Sequence, residues 1–496
     1  MKRTTRRNFL KSSLAAGVTL GLPRILVGKQ SAPSETVRFA VIGLGAIKGT
    51  GVGGRGHQLI PRLREVPGAK IVALCDADSS FLEREAKPFK DRGEEIKTHV
   101  DIRHVLDDKN IDAVVVAMPN FWHALATVWT CQAGKDVYVE KPFCYNLHEG
   151  QQMVAAAQKY GRMIQLGTQN RSSPLLRQTF AHLHGGELGA IRFAHAIVYR
   201  PREGIGKVTA PLRVPETVDY NLWCGPTQEA PIMRKQLHYE WHWFWDTGNG
   251  EMGNNGIHVI DICRWALGRN DLSPRAMSIG GRFNSGDNAE TANTQIGFLD
   301  YQPAPIICEV RNIKSPKSAE GIGKFRGITS GVVIDCEGGY FVGDGTGGAI
   351  FDKDGKKMKD IAPDGSFEKL EFLHFSNLLA SIHSRKSEDL VAGPTIGYAS
   401  TAGCHMANIS HRIGKDSSPQ EIADSIKGNT QLSDAFERCR NYLHENGVDL
   451  DATPATLGPW VTYDEKQERF VGDFAKEANK LCHREYRKPF VMPHLT

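Results

Sequence analysis

The sequence predicts an α/β protein that begins with a doubly wound parallel sheet. An apolar, β-branched run at residues 37–42 ends in a glycine turn at Gly43 and Gly45, which is typical of a buried parallel strand. Further short apolar runs occupy residues 70–75, 113–117, 137–139 and 163–166. The segments between these runs are long enough for helices, and this alternation favours a parallel sheet with helices on both faces.

Composition places the chain among ordinary globular proteins. Its 496 residues are 40% hydrophobic and 24% charged, and the length suggests about two or three domains. The net charge of +5 is small and no block of basic residues occurs, so nucleic acid is not an expected partner. The ten cysteines show no C-x-x-C spacing. We therefore expect mostly free, buried thiols and no metal site.

Residues 1–34 have the order of an export signal, with a basic segment, a mildly apolar stretch at 12–22 and a polar segment. The run Thr5-Arg6-Arg7-Asn8-Phe9-Leu10-Lys11 resembles the twin-arginine signal. The apolar stretch is too short to span a bilayer, so no stable membrane span is expected. This resemblance predicts a periplasmic protein that is a partner of the twin-arginine translocation machinery; the alternative is a frayed basic terminus.

The first turn and the second strand predict a dinucleotide site. Such a site needs glycines where the pyrophosphate approaches a helix N-terminus, and an acidic residue about 20 positions later for the adenosine ribose. Gly43 and Gly45 open this pattern, but the third glycine is missing unless residues 46–53 are an insertion. Gly56 then completes it and Asp76 falls in register. Asp76 favours NAD over NADP because a carboxylate repels a 2′-phosphate. The simpler alternative is a tight turn that uses glycine for steric reasons alone and binds no nucleotide.

Three motifs resemble the Gfo/Idh/MocA family, named for glucose-fructose oxidoreductase and inositol dehydrogenase. The motifs are Glu140-Lys141-Pro142 after a strand, Asn120-Phe-Trp-His123, and Gly256-Ile-His258-Val-Ile-Asp261. The resemblance covers residues 36–415. It implies an N-terminal Rossmann domain, a C-terminal α/β domain with a largely antiparallel open sheet, and a homo-oligomer, commonly a dimer or tetramer, formed through the outer sheet face. It also implies that Asn120, His123 and Glu140 help to bind the cofactor.

Lys141 is the predicted catalytic base. A side chain at the carboxyl edge of a parallel strand faces the cofactor crevice, where a substrate hydroxyl must lose its proton as hydride leaves carbon. Partial desolvation and a positive nicotinamide would both favour the neutral amine. The alternative is a surface lysine paired with Glu140.

His258 is the predicted proton shuttle beside Lys141. The family commonly carries Asp four positions before this histidine, on the same helical face, whereas this chain has Asn254. An amide cannot take a proton, but it can orient a hydroxyl or carbonyl by hydrogen bonding. The alternative for His258 is an ordinary core histidine.

Two segments of the second domain are candidate substrate contacts. Gln169 and Arg171 follow the last strand of the first domain and could line the cleft or serve as linker residues. The segment 238–246 is rich in aromatic residues, so it could form a sugar platform with hydrogen bonds from His238, His242 and Asp246. The aromatic content of this segment is explained equally well by a core strand whose alternate side chains pack on one face.

The sequence thus predicts four segments: a leader at 1–34, a dinucleotide-binding domain at 35–166, a substrate and oligomerisation domain at 167–419, and a C-terminal extension at 420–496 that packs on the body or on a neighbouring subunit. Helical patterns at 371–383 and 398–411 belong to the second domain, and the latter should return to the first.

We expect an exported NAD(H)-dependent oxidoreductase of a sugar, polyol or glycoside, with a tightly bound and internally recycled cofactor. The alternatives are a redox-neutral NAD-dependent glycoside hydrolase or lyase, and a non-catalytic sugar-binding protein.

Overall fold

The computed structural model describes residues 35–45, 54–313, 322–362 and 366–495. The predicted leader at 1–34 and the predicted insertion at 46–53 lie outside these residues. The described part of the N-terminal domain forms a six-stranded parallel sheet in the order β3-β2-β1-β4-β5-β6. Its strands are β1 Val37–Ile42, β2 Ala69–Cys75, β3 Lys97–His99, β4 Ala113–Val116, β5 Asp136–Val139 and β6 Ile164–Leu166.

The helices of this domain connect successive strands. They are α1 Arg55–Glu65, α2 Ser79–Asp91, α3 Ile102–Asp107, α4 Asn120–Gln132 and α5 Leu147–Tyr160. The strand order reverses between β1 and β4, which creates a crevice at the carboxyl ends of the strands. The predicted doubly wound parallel sheet is confirmed. Strand β3 was not predicted, because it has only three residues and these are mostly polar.

The second domain contains a mixed sheet of twelve strands within the described ranges, in which every recorded pair is antiparallel except β7 with β10. Its strands are β7 Ile191–Tyr199, β8 Arg275–Gly281, β9 Thr294–Leu299, β10 Ile306–Arg311, β11 Ser330–Cys336, β12 Gly339–Asp344, β13 Gly347–Asp352, β14 Lys357–Ile361, β15 Lys415–Ser417, β16 Ala455–Leu457, β17 Val461–Asp464 and β18 Arg469–Val471. The predicted antiparallel α/β domain is therefore confirmed.

Five helices in the described part of the chain accompany this sheet: the first, third and fifth pack on one of its faces, and the second and fourth pack on the first domain. They are α6 Pro174–His184, α7 Tyr220–Cys224, α8 Ile257–Ala266, α9 Phe367–Ser384 and α10 Pro394–Arg412. Helix α9 brings the ring of Phe375 to 4.5 Å from that of Tyr138 on β5. Helix α10 places the Thr401 hydroxyl 3.0 Å from the backbone N–H of Phe143. The predicted return of the later helix to the first domain is confirmed.

The residues after 419 pack on both domains. Helices α11 Pro419–Ile426 and α12 Thr430–Glu445 cover the other face of β8, β9 and β10 with apolar side chains such as Ile422 and Phe436. A short helix, α13 Ala475–Lys480, precedes a tail in which the Tyr486 hydroxyl lies 3.2 Å from the Glu149 carboxylate on α5. This extension accordingly covers part of the sheet face that the family resemblance assigns to oligomer contacts.

Two smaller expectations can be compared directly with the structure. All ten cysteines are buried free thiols, as predicted. The core strand, one of the two alternatives for the aromatic segment, does not form, because residues Glu240–Trp243 form a 3₁₀ turn. Three residues per turn and a close approach to the cleft replace the alternating pattern of a strand.

Within the described ranges, no helix has the length and apolar character needed to cross a membrane.

Candidate active site

The glycine turn after β1 has the close packing that a pyrophosphate site requires. Gly43 has a positive φ of 87°, and a Cβ there would lie 2.6 Å from the backbone of Ala117 after β4. A Cβ on Gly56 would lie 2.0 Å from the Gly43 carbonyl oxygen. Only glycine fits at both positions. The N-terminus of α1 therefore approaches the turn closely, and a helix N-terminus favours an anionic group.

Asp76 follows β2 and fastens this turn. Its two carboxylate oxygens accept hydrogen bonds from the backbone N–H groups of Leu44 at 2.6 Å and Asp78 at 2.9 Å. Burial raises the pKa of Asp76 to about 6, against these hydrogen bonds. Each oxygen retains acceptor capacity for a ribose hydroxyl, so the residues of the turn fit the dinucleotide that the sequence predicts.

Glu140 lies beneath the cleft at the end of β5 and is almost fully buried. Its carboxylate accepts hydrogen bonds from the Arg55 guanidinium at 3.1 and 3.2 Å. Burial alone would raise the pKa of Glu140, but the charges of Arg55 and Lys141 outweigh it and hold the pKa below its usual value. Arg55 also binds Glu371 on α9 at 2.6 Å, so this ion pair joins the two domains beside the cleft.

Lys141 is turned away from Glu140 and toward the second domain. Its Nζ lies 2.8 Å from the backbone oxygen of Asn254 and 2.8 Å from the Asn254 side-chain oxygen. Burial lowers the pKa of Lys141 to about 8. The neutral amine is therefore accessible near physiological pH, which is the requirement for a general base. The alternative of a surface lysine paired with Glu140 does not describe this geometry.

Asn254 lies in a π-helical turn, Met252–Gly256, directly before α8. Such turns insert one residue and shift the side chains that follow, and they occur often at functional sites. The Asn254 amide nitrogen donates to Glu251 at 3.2 Å, and Glu251 is held by Arg202 at 3.0 and 3.2 Å. With its amide nitrogen donating to Glu251, Asn254 presents its oxygen to Lys141.

His258, four residues later, lines the same cleft on α8. Its Nδ1 is buried and has no hydrogen-bond partner among the described residues. Burial, together with the positive charge of Lys141, lowers the pKa of His258 to about 3. The imidazole is consequently neutral at pH 7, and its free nitrogen can accept or donate a hydrogen bond to a substrate hydroxyl.

The aromatic segment forms the opposite wall of the cleft. The His242 ring stacks on Trp241 at 3.6 Å, and its Nδ1 lies 2.6 Å from the Tyr239 carbonyl oxygen. Nδ1 therefore carries the proton and Nε2 is left as an acceptor. Nearby, His238 Nε2 lies 3.1 Å from the Asp78 carboxylate, so the segment is fastened to the first domain. The segment mixes packed aromatics such as Trp241 with residues that line the cleft, and its role as a sugar platform stays a prediction.

One cavity of about 420 Å³ joins these groups. Its nucleotide end is lined by Gly43, Gly45 and Asp76, and its other end by Lys141, His242 and His258. The structure thus brings most of the predicted cofactor and catalytic residues, including Asn254, to a single cleft between the two domains, whereas Gly56 and Asn120 do not line it. A volume of this size is ordinary for a small-molecule site.

Several predicted site residues have other roles. His123 is buried with its ring nitrogens 2.6 Å from the Pro142 carbonyl and 2.8 Å from the Met118 carbonyl, so it braces the segment that carries Lys141. Asn120 is buried and donates to Asn249 at 2.6 Å, which joins the domains. Gln169 lines the inner cleft, but its amide contacts the Tyr138 hydroxyl at 2.8 Å.

Two predicted substrate contacts are corrected by the structure. The buried Arg171 guanidinium binds the Asp261 carboxylate at 2.9 and 3.0 Å, so its charge is already compensated inside the protein. Asp246 is exposed, and its backbone oxygen accepts from Arg484 of the C-terminal tail at 2.9 Å. Neither residue lines the cavity, although Gln169 and His242, close to them in sequence, do.

Sequence reasoning missed Arg55, Arg202, Tyr239 and Glu251. Arg55 immediately precedes Gly56, and that position was the one signal that could have suggested a role in the cleft. Arg202 donates to the Tyr239 hydroxyl at 2.8 Å as well as to Glu251. No local motif links these three residues, because they meet only in the folded protein.

The fold and this site define a two-domain, dinucleotide-binding protein. Residues 37–168 match the family model described as "Oxidoreductase family, NAD-binding Rossmann fold", and residues 203–315 match "Oxidoreductase family, C-terminal alpha/beta domain". Both models belong to the Gfo/Idh/MocA family and support the resemblance seen in the three motifs. The N-terminal domain is accordingly an NAD-binding Rossmann domain of the oxidoreductase type.

Curated relatives match part of the chain. A glycosyl hydrolase family 109 protein of Saccharopolyspora erythraea is 30% identical in an alignment over 223 residues that covers 40% of this chain and 47% of the relative. The scyllo-inositol 2-dehydrogenase (NAD(+)) of Bacillus subtilis is 29% identical over 161 residues, 31% of this chain and 42% of the relative. The alignments thus span less than half the length of these relatives.

Solved structures share the fold. The WlbA dehydrogenase of Bordetella pertussis, in complex with NADH and UDP-GlcNAcA, aligns with a TM-score of 0.54 at 18% identity, covering 76% of this chain and 97% of that protein. The aldose-aldose oxidoreductase of Caulobacter crescentus, complexed with glycerol, aligns with a TM-score of 0.52 at 17% identity, covering 74% and 95%.

Proposed function

We propose that this chain is an exported NAD(H)-dependent oxidoreductase that acts on a carbinol carbon of a sugar, polyol or glycoside. One observation carries the proposal: the Lys141 amine, with its lowered pKa, lies in the same cleft as the glycine turn and Asp76. A base and a nucleotide-binding turn in one cavity are the two elements that hydride transfer needs.

The residues have distinct roles in this reaction. The nicotinamide, when bound, accepts or returns hydride. Neutral Lys141 takes the proton of the substrate hydroxyl, and the two oxygens of Asn254 hold the amine in place. His258 and His242, both neutral, fix neighbouring hydroxyls by hydrogen bonding.

We further propose that the cofactor stays bound through the catalytic cycle. The segment that contains His238 and Trp241 lines the cleft and is fastened to the first domain through Asp78. A nucleotide beneath this segment leaves only when the segment moves. Free NAD should be scarce outside the cytoplasmic membrane, so a retained cofactor would be recycled by paired oxidation and reduction within the same site.

Export rests on the leader alone. The twin-arginine pattern at Arg6 and Arg7 supports transport of a folded protein to the periplasm, after its cofactor has been loaded in the cytoplasm. Fusion of residues 1–34 to a reporter tests this. Export of the reporter should stop when both arginines are replaced by lysine, and export of that variant would contradict the proposal.

A second candidate is redox-neutral hydrolysis or elimination of a glycoside. The similarity to proteins named glycosyl hydrolase family 109 favours it. Transient oxidation beside the anomeric carbon acidifies a C–H bond, and the same Lys141 could then remove that proton. A sugar-binding protein without turnover is the third candidate, and it predicts that Lys141→Ala leaves sugar binding unchanged.

The test begins with the native protein. The purified protein is denatured, and the released nucleotide is identified by absorbance and mass. The intact protein is then screened with sugars, polyols and glycosides while the nicotinamide absorbance and the products are followed. Nucleotide release with substrate-dependent reduction supports the oxidoreductase, whereas bond cleavage without net NADH supports the second candidate. Absence of nucleotide, with no binding of added NAD, would refute both.

A further inference from the structure

A second cavity of about 330 Å³ lies next to the catalytic cleft. Arg202 lines both cavities. The adjacent residues His242 and Trp243, on one 3₁₀ turn, line the catalytic cleft and the second cavity respectively. The two cavities therefore adjoin each other at Arg202 and at this turn.

Three asparagine side chains of this second cavity use their amide N–H groups inside the protein. Asn284, Asn312 and Asn446 each donate their amide N–H to a backbone carbonyl oxygen, at 2.9, 2.8 and 2.7 Å. None of the three side-chain oxygens has a hydrogen-bond donor among the described residues, and that of Asn446 is buried. A complementary ligand must supply donors, as hydroxyl groups do.

The charges at this cavity are already compensated. Arg202 is paired with Glu251 at 3.0 Å, and Arg282 with Asp287 at 2.6 Å. An anion would therefore meet no free guanidinium group in this lining, and a cation would meet only the exposed carboxylate of Glu203 at the rim. Apolar surface comes from Trp243, Phe283 and Ala292. A neutral, hydroxyl-rich ligand matches the compensated charges, and its C–H faces match the apolar surface.

The C-terminal extension completes this cavity. Asn446 caps the end of α12, and its backbone oxygen accepts the hydrogen bond from Asn284 on the loop after β8. The second cavity is thus built from both the sheet domain and the extension, which lies beyond the two segments that match the family models.

We infer that the second cavity is a saccharide subsite that holds a second, neutral sugar unit of the substrate. The inference rests on the proposed function for the first sugar unit in the catalytic cleft. It names the substrate class as a disaccharide or larger glycoside. Two or three added hydrogen bonds to hydroxyls should raise the binding affinity for a disaccharide about tenfold or more above that for its monosaccharide.

The experiment compares matched sugar pairs on the full-length protein. The pairs are cellobiose with glucose, lactose with galactose, and chitobiose with N-acetylglucosamine. Binding is measured by calorimetry and by tryptophan fluorescence, and turnover at the nicotinamide band. Ser285, which lines the second cavity, is replaced by Trp to fill it, and Ser285→Ala is the matched control that keeps it open.

We expect at least one disaccharide to bind about tenfold more tightly than its monosaccharide, and Ser285→Trp, but not Ser285→Ala, to remove that preference. Binding with this pattern but without any nicotinamide change would uphold the subsite and refute the oxidoreductase function. Turnover with equal kcat/KM for both members of every pair, unaffected by Ser285→Trp, would overturn the subsite alone. Failure of every disaccharide to bind would also overturn it.

Discussion

The Lys141 ammonium is bound by two oxygens of one residue, the backbone and side-chain oxygens of Asn254, each at 2.8 Å. Lys141 comes from the parallel sheet and Asn254 from the turn before α8. This contact places the amine across the domain boundary, where the substrate must lie if the nucleotide occupies the glycine turn. Neither oxygen carries a full charge, so the amine remains able to lose its proton.

The first prediction concerns pH. Because Lys141 must be neutral to accept a proton and its pKa is lowered to about 8, the rate of alcohol oxidation should rise through pH 8 and level off above it. Lys141→Met should lower kcat by about 10²- to 10⁴-fold. Steady-state kinetics measures both effects, with Lys159→Met on the exposed face of α5 as control. Oxidation by Lys141→Met at the unaltered rate would exclude Lys141 as the base.

The second prediction concerns Asn254. Asn254→Asp puts a carboxylate against Lys141, and an opposite charge stabilises the ammonium and raises its pKa. The rising limb of the pH–rate profile should move to higher pH by about one unit. Asn254→Ala, which removes the side-chain oxygen without adding charge, is the matched control and should not cause this alkaline shift. An identical midpoint in Asn254→Asp would mean that another group titrates.

The third prediction concerns the nucleotide. Gly56→Ala places a methyl group 2.0 Å from the Gly43 carbonyl oxygen, so the turn and the start of α1 must separate. The purified variant should release at least tenfold less nucleotide on denaturation than the parent protein, given the loss of close approach to the helix N-terminus. Gly428→Ala, where a Cβ meets nothing within 4 Å, is the control. Full nucleotide content in Gly56→Ala would contradict the site.

The fourth prediction concerns stability. Burial raises the pKa of Glu149 from 4.5 to about 7. The folded state therefore prefers the protonated carboxyl, and this contribution is fully present below pH 4.5 and is lost as pH rises through 7. The shift corresponds to about 3 kcal/mol at roughly 1.4 kcal/mol per pKa unit.

Glu149→Gln mimics the protonated form at every pH. Its Tm relative to the parent protein should increase between pH 5 and pH 8, as measured by calorimetry. Glu477→Gln on the exposed surface of α13 is the control and should show no such trend. A difference in Tm that is independent of pH would show that Glu149 does not titrate in this range.

Local pattern was sufficient for the parallel sheet and for the residues at its carboxyl edge. The runs at β1, β2, β4 and β5 are mostly apolar, with one charged residue near the start of β1, β2 and β5. Gly43, Asp76 and Glu140 directly follow β1, β2 and β5. Parallel strands all end at one edge, so Gly43, Asp76 and Lys141 had to meet there. Spacing alone also paired Gly43 with Gly56 across residues 46–53.

Local sequence pattern did not predict the role of a side chain that has two plausible partners. Arg171 and Asp246 have the chemistry of substrate contacts, but Arg171 binds Asp261 on α8 and Asp246 lies at the exposed end of the aromatic segment. The alternation of aromatic residues at 239, 241, 243 and 245 is compatible with a strand, but Glu240–Trp243 form a 3₁₀ turn. Contacts over a hundred residues, such as Lys141 with Asn254, decide these cases.

The amino-acid sequence by itself determined the Rossmann sheet, the nucleotide turn and the lysine at its edge, because these depend on short-range periodicity and on the geometry common to all parallel strands. The tertiary structure alone decided which oxygens hold Lys141, which arginine supports Glu251, and how the extension closes a second cavity. The physical reason is that hydrogen bonds and ion pairs are short-ranged, so their partners are selected only after distant segments have packed.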